Sequence, residues 1–180
     1  YPGGTLACDV IGFTTSDNVG SYGLEEYYND VLSGTAGREY GYLNDDSNLE
    51  RTTIAPEDGN SIVSTIDINI QSIVEKYLKK HDEEYKDNAH EGNGANNIGC
   101  IIMDVNSGEI LAMASYPVFD LNDVRNTDAL KGMRILDAEG KKTEPAEYIN
   151  DENLRTLQND DAAMYQNLNA LWKNFCISDT

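Results

Sequence analysis

Two apolar runs flank a glycine-bearing turn between Asn97 and Asn122, and this stretch constrains the chain more than any other. Ile98-Gly99-Cys100-Ile101-Ile102-Met103 is short and rich in β-branched residues, and Ile110-Leu111-Ala112-Met113-Ala114 is a second apolar run. Between them, Asn106-Ser107-Gly108 supplies turn chemistry, because Gly takes φ > 0 without a Cβ clash and Asn tolerates it. The pattern predicts a β-hairpin. Neither run alternates with polar residues, so a sheet covered on both faces is expected. Pro117, which has no N–H to donate, ends the second strand.

From the start of the chain, Leu6, Val10, Ile11 and Phe13 predict a strand over residues 1–13, followed by a polar, Gly-rich loop from Thr14 to Gly23. Leu24, Tyr27, Tyr28 and Val31 fall on one face of a helix over 24–32. Glu25 and Glu26 suit its first turn, and Gly34 suits a left-handed C-cap. Glu39–Leu43 and Leu49–Ala55 are predicted strands around the turn residues Asn44-Asp45-Asp46-Ser47, and Glu57-Asp58-Gly59-Asn60 is a second turn. A domain boundary is placed there. Ile62–Ile66 is a predicted short strand. Asp67 is an N-cap for a helix reaching about Ala89, with Ile70, Ile73, Val74, Tyr77 and Leu78 as its apolar stripe. Glu91 to Asn97 is a loop. Residues 123–158 are polar and turn-rich, with a short helix or strand over Lys131–Leu136 and a turn at Glu139-Gly140-Lys141-Lys142. A last helix is predicted from Asp160 to Trp172.

The net charge of −19 excludes nucleic-acid binding, which needs a basic surface. No apolar run reaches the ~18 residues of a membrane span, and no signal peptide is present. The chain begins at Tyr1 without a Met and reads as an excised piece. Cys8, Cys100 and Cys176 are odd in number and widely spaced, which points to buried free thiols rather than zinc ligands. His81 and His90 fall on opposite sides of the predicted helix and cannot share a metal. Asp45-Asp46 and Asp160-Asp161 lack calcium-loop spacing. Tyr27, Tyr28, Tyr40, Tyr42, Tyr77 and Tyr85 could form a carbohydrate-stacking surface, but are assigned to helix and strand packing. No catalytic, cofactor-binding or metal-ligating residue is assigned, and no cofactor is expected.

One longer string is more specific than its parts. Gly99-x-Ile101-x-Met103-Asp104-x-x-Ser107-Gly108-Glu109-Ile110-Leu111-Ala112-Met113-Ala114-Ser115-x-Pro117-x-Phe119-Asp120-x-Asn122 resembles the first two strands of the penicillin-binding transpeptidase domain. Thr65-Ile66-Asp67-x-x-Ile70-Gln71 resembles the helix start before those strands. Tyr1-Pro2-x-Gly4-x-Leu6-Ala7-x-x-Val10-Ile11-Gly12-Phe13 and Gly23-Leu24-Glu25-x-x-Tyr28-x-x-x-Leu32-x-Gly34 resemble the pedestal, or dimerisation, domain of class B penicillin-binding proteins. The signatures occur in the family's order.

The resemblance implies an α+β segment, with residues 1–60 in the pedestal and residues 61–180 in the N-terminal part of the transpeptidase domain. It implies a parent serine D,D-transpeptidase that cross-links peptidoglycan stem peptides, binds β-lactams and works outside the cytoplasmic membrane, anchored by an N-terminal helix. Protein partners from the cell-wall machinery would bind through the pedestal. The family's nucleophile lies in S-x-x-K, followed by S-x-N and K-[TS]-G. No S-x-x-K occurs in the 180 residues. Ser16-Asp17-Asn18 matches S-x-N by letter but precedes every other signature and has turn composition. Lys142-Thr143-Glu144 lacks the glycine of the third motif. The chain is therefore expected to be scaffold without chemistry, with S-x-x-K following soon after Thr180. A two-stranded piece of a larger sheet has an unpaired edge, so self-association is expected. The competing expectation is a secreted or surface binding module with no enzymatic parent.

Overall fold

The computed structural model describes residues 1–43, 49–89 and 97–178. Its architecture is α+β: three separate two-stranded antiparallel ribbons and a set of helices. The turn assigned to Asn44–Ser47, the loop over Glu91–Asn96 and His90 lie outside the described residues.

The predicted strand over 1–13 is not formed. Tight turns lead into a short helix, α1 (Cys8–Ile11), and only Phe13–Thr14 is strand, β1. The reason is a left-handed turn at Ala7, which interrupts extended backbone where Ala7, Cys8 and Asp9 are buried in succession. Ala7 takes φ 53° and Gly12 φ 75° to make the turns. β2 (Gly20–Ser21) pairs back on β1, so the expected loop contains a small ribbon.

The predicted helix over 24–32 divides at Tyr28 into α2 (Gly23–Tyr27) and α3 (Asn29–Leu32). Its apolar face is not a core face, since Tyr27 is 80% exposed. Gly34 is no left-handed cap: the residue after α3, Ser33, is extended. Gly34 is needed for proximity, because a Cβ there would lie 2.1 Å from the Glu57 carbonyl oxygen. β3 (Arg38–Leu43) and β4 (Leu49–Ile54) pair as expected, Tyr40 opposite Thr52.

Ile62–Ile66 joins no ladder. It reaches the next sheet only at its end, where the Thr65 hydroxyl donates to the Ile110 carbonyl at 2.7 Å and the Asp67 N–H to Leu111 at 2.8 Å. Asp67 caps α4 (Ile68–Ala89), accepting the N–H groups of Asn69 and Ile70. Ile70, Val74 and Leu78 pack inward, but Ile73 and Tyr77 stand exposed, so the stripe is narrower than expected. The six tyrosines assigned to packing are likewise at the surface.

β5 (Ile98–Met103) and β6 (Ile110–Tyr116) form the expected hairpin, with Ile102 opposite Ala112. The expectation of cover on both faces is corrected. Cys100, Ile102, Ala112 and Ala114 face α4. On the opposite face Ile101 and Met103 are 45% and 53% exposed. Phe175 and Cys176 lie against Gly99 at one end of that face, so its cover is partial; the apolar run is continuous while its burial alternates along β5.

Beyond the hairpin lies the larger core. Phe13, Phe119, Leu130, Met133, Ile149, Leu154, Leu168, Leu171 and Trp172 meet there. A 3-10 turn (Thr127–Leu130) is followed by isolated bridges from Arg134 to Tyr148 and Leu136 to Lys142, in place of a helix or strand over 131–136. The turn at 139–142 is present, with Gly140 at φ 78°. α5 (Asp151–Leu157) was not expected; a reciprocal capping box between Asn150 and Asn153 starts it. α6 (Asp161–Trp172) matches its prediction, with Asp160 as N-cap. The Phe13 ring lies 5.2 Å from Trp172 and 6.1 Å from Phe119, tying the first residues of the chain to its last helix.

Candidate functional site

The densest polar constellation lies where α1, α4, β6 and residues 174–176 converge. Gln71, fully buried on the inward stripe of α4, behaves like a peptide unit added to the edge of β6. Its Nε2 donates to the Met113 carbonyl at 2.9 Å, and its Oε1 accepts the Met113 N–H at 2.9 Å. The second Nε2 hydrogen goes to Glu75 Oε1 at 2.8 Å, and the same oxygen accepts the Ala7 N–H at 2.7 Å. One relay therefore links the start of the chain, the helix and the hairpin. It also satisfies the edge of β6, which would otherwise offer unpaired groups.

Asp9 lies beside this relay and is 5% exposed. It accepts the hydroxyl of Ser115 and the thiol of Cys8. Burial pushes its carboxyl up to about 7; the bonds from Ser115 and Cys8 work against burial, and the charge of Glu75 reinforces it. Burial, then the neighbouring Asp9, raises the Cys8 thiol well above its ordinary range, which keeps it protonated and inert. Cys176 donates toward the Ala114 carbonyl at 3.4 Å, and burial raises its pKa too. All three cysteines are free, but only Cys8 is buried as expected; Cys100 and Cys176 are half-buried.

Ser115 is 5% exposed and its hydroxyl faces a carboxyl that burial favours as the acid. Among the described residues, no group of three or more His, Cys, Asp or Glu side chains is placed to hold a metal. The junction holds elements in register.

The motif-like strings fall elsewhere. Ser16-Asp17-Asn18 forms an exposed turn, with Asn18 at φ 56°. Thr143 donates its N–H to Ile135 and accepts from Arg134 through its carbonyl, so Lys142-Thr143-Glu144 is structural connection. Asp160 is an N-cap, and His81 meets the Tyr85 ring at a tilt on the exposed face of α4. Asp45-Asp46 lies outside the described residues.

Gln71 and Asn167 received no structural role from sequence. Asn167, 1% exposed, bonds both backbone groups of Leu136 and the Ala163 carbonyl. A signal did exist for Gln71: it sits among Asp67, Ile70, Val74 and Leu78 on the inward stripe, where an uncharged polar residue needs a buried partner.

No protein-family model matches the chain. Among curated proteins, it is 34% identical over 134 residues to stage V sporulation protein D of Bacillus subtilis, covering 71% of this chain and 19% of that protein. It is 33% identical over 135 residues to the probable peptidoglycan D,D-transpeptidase PenA of Neisseria gonorrhoeae, covering 72% of this chain and 22% of that protein. A peptidoglycan synthetase from Bifidobacterium adolescentis superposes with TM-score 0.54 at 26% identity, covering 67% of this chain and 21% of that one. The chain thus spans about a fifth of the length of the curated relatives it matches.

Proposed function

The chain belongs to the class B penicillin-binding proteins, and we propose that it is a non-catalytic scaffold segment of a peptidoglycan D,D-transpeptidase. Residues 1–60 supply part of the pedestal and residues 61–180 open the transpeptidase domain. The observation that carries this is the coincidence of signature and structural pin. Asp67 and Gln71 of the quoted strings cap α4 and clamp β6. Asn122, which ends the hairpin string, donates to the Tyr1 carbonyl at 2.9 Å. The strings typical of the family are the ones that lock pedestal residues onto the hairpin unit.

In this reading the whole protein acts on peptidoglycan stem peptides, is acylated by β-lactams, and works at the outer face of the bacterial cytoplasmic membrane, held by an N-terminal helix. Among the described residues of the chain itself, no helix is long and apolar enough to cross a membrane. The pedestal contacts other cell-wall proteins. The exposed Ile101 and Met103 receive further transpeptidase structure in the whole protein and drive self-association of the isolated chain.

Labelling with a fluorescent penicillin tests the assignment. The full-length gene product is expected to carry one stable adduct, on a serine outside residues 1–180, and the 180-residue chain none. An adduct on the chain itself, removed by Ser16→Ala, would overturn the scaffold role. A full-length protein that takes no label would overturn the transpeptidase reading.

A further inference from the structure

One pocket reverses the electrostatics of the rest of the molecule. It lies between the 133–142 connection, α6 and the segment after it, and encloses about 240 Å³. Arg134, Lys142 and Lys173 line it, three of the chain's 13 Lys and Arg residues, and no Asp or Glu does. In a chain with 32 Asp and Glu and a net charge of −19, that local composition stands apart.

Lysines outside the pocket are of both kinds, paired and unpaired. Lys131 lies 2.7 Å from both Asp128 and Asp151 and Lys141 lies 2.5 Å from Glu139, while Lys76, Lys80 and Lys86 have no ion pair among the described residues. The cavity beside α4 is of mixed sign, lined by Lys79, Asp82, Asp128 and Lys131. Among the described residues, Lys142 and Lys173 have no ion-pair partner. Arg134 is held in place by the Thr143 carbonyl at 2.7 Å and by the exposed Glu144 at 3.0 Å. Its Nε is buried and has no hydrogen-bond partner. A guanidinium offers a planar fork suited to oxyanions, and each lysine adds a flexible point charge.

We propose that this pocket binds a small oxyanion, of the carboxylate or phosphate class, on Arg134, Lys142 and Lys173. The volume falls below the ~300–1,000 Å³ of sites for drug-sized ligands, which limits the ligand to a compact anion with a short body. Gln166 and Asn169 on α6 offer polar contacts to that body, and Phe175 offers an apolar one. The proposal stands independently of the transpeptidase assignment.

Inorganic phosphate and N-acetylalanine serve as probes, with neutral N-acetylalaninamide as the control and NaCl holding ionic strength constant. Titrations of the 180-residue chain are followed by NMR at the methyl groups of Met133 and Ala170. At least one oxyanion is expected to shift both signals saturably, and the amide is not. Lys142→Gln with Lys173→Gln, both at exposed positions, should weaken binding about tenfold, with near-UV dichroism unchanged. Lys80→Gln, on α4, should leave it unaltered. Stronger binding of phosphate assigns a phosphate-bearing ligand, and stronger binding of N-acetylalanine a carboxylate. The proposal is overturned by the absence of a saturable shift, by equal binding of the neutral amide, by full affinity in the double variant, or by an equal loss in Lys80→Gln.

Discussion

The chain contains two antiparallel hairpins of nearly equal length, β3–β4 and β5–β6, set in opposite environments. In β3–β4 the side chains of Arg38–Tyr42 and Glu50–Ile54 are exposed apart from the half-buried Thr52. Its side-chain cross-links are surface contacts, Arg51 to Glu39 at 3.2 Å and Tyr42 to Glu50 at 2.7 Å, and such pairs contribute little. In β5–β6, Ala112 and Ala114 are buried against α4, and the Gln71 amide closes the β6 edge. A ribbon becomes a stable unit by what backs it, because two strands alone bury too little apolar surface. β5–β6 has a helix over one face and the end of the chain over part of the other. A Cβ on Gly99 would come within 2.9 Å of Cys176 Sγ.

The sharpest way to break this contrast is to place a charge in the backed hairpin. Ala112 is 0% exposed, so Ala112→Asp should destabilise the chain by about 4 kcal/mol or more. A denaturant melt measures it, and a loss under about 1 kcal/mol would mean that α4 does not seal the sheet.

A pH series tests the polar junction behind β6. Asp9 has its folded pKa raised to about 7, against 3.8 in the reference state. The folded chain therefore binds the proton more tightly than the unfolded chain. This stabilisation is complete below about pH 4 and is lost as pH rises toward 7, a change on the order of 3 kcal/mol. Amide exchange, corrected for its intrinsic pH dependence, should show protection of β5–β6 falling across that window while β3–β4 stays level. Asp9→Asn should flatten the β5–β6 profile. A profile that rises with pH would contradict the junction's electrostatics.

Gln71→Ala removes both bonds to Met113 and leaves Glu75 with one partner fewer, an expected cost on the order of 2–3 kcal/mol. Protection at the Met113 amide should fall more than at the Ala114 amide. Uniform loss along β6 would assign Gln71 to packing alone. The smallest effect belongs to the bare ribbon. Tyr40, 52% exposed, can be replaced by Ala for under about 0.5 kcal/mol. A cost equal to that of Ala112→Asp would show that β3–β4 is buried in solution and would abolish the contrast.

What the sequence determined by itself were features set by neighbours in the chain. The hairpin at Ile98–Tyr116 follows from two apolar runs and Gly108 at φ 78°. α4 and α6 follow from periodicity and from the capping aspartates Asp67 and Asp160. The turn at Ser16-Asp17-Asn18 was legible from its composition. Tertiary structure decided which faces are covered and what polar residues do when buried. Tyr27, Tyr28 and Val31 have helical spacing, yet all three stand at the surface. Residues 1–13 coil because Ala7 must meet Glu75 and Asp9 must meet Ser115, partners far along the chain. The clustering of Arg134, Lys142 and Lys173 arises in the same way, from the approach of the 133–142 connection to α6. Local propensity is a sum over adjacent residues and can be read along the chain. Burial and electrostatic environment are set by atoms brought together from distant positions, and only the folded arrangement specifies which those are.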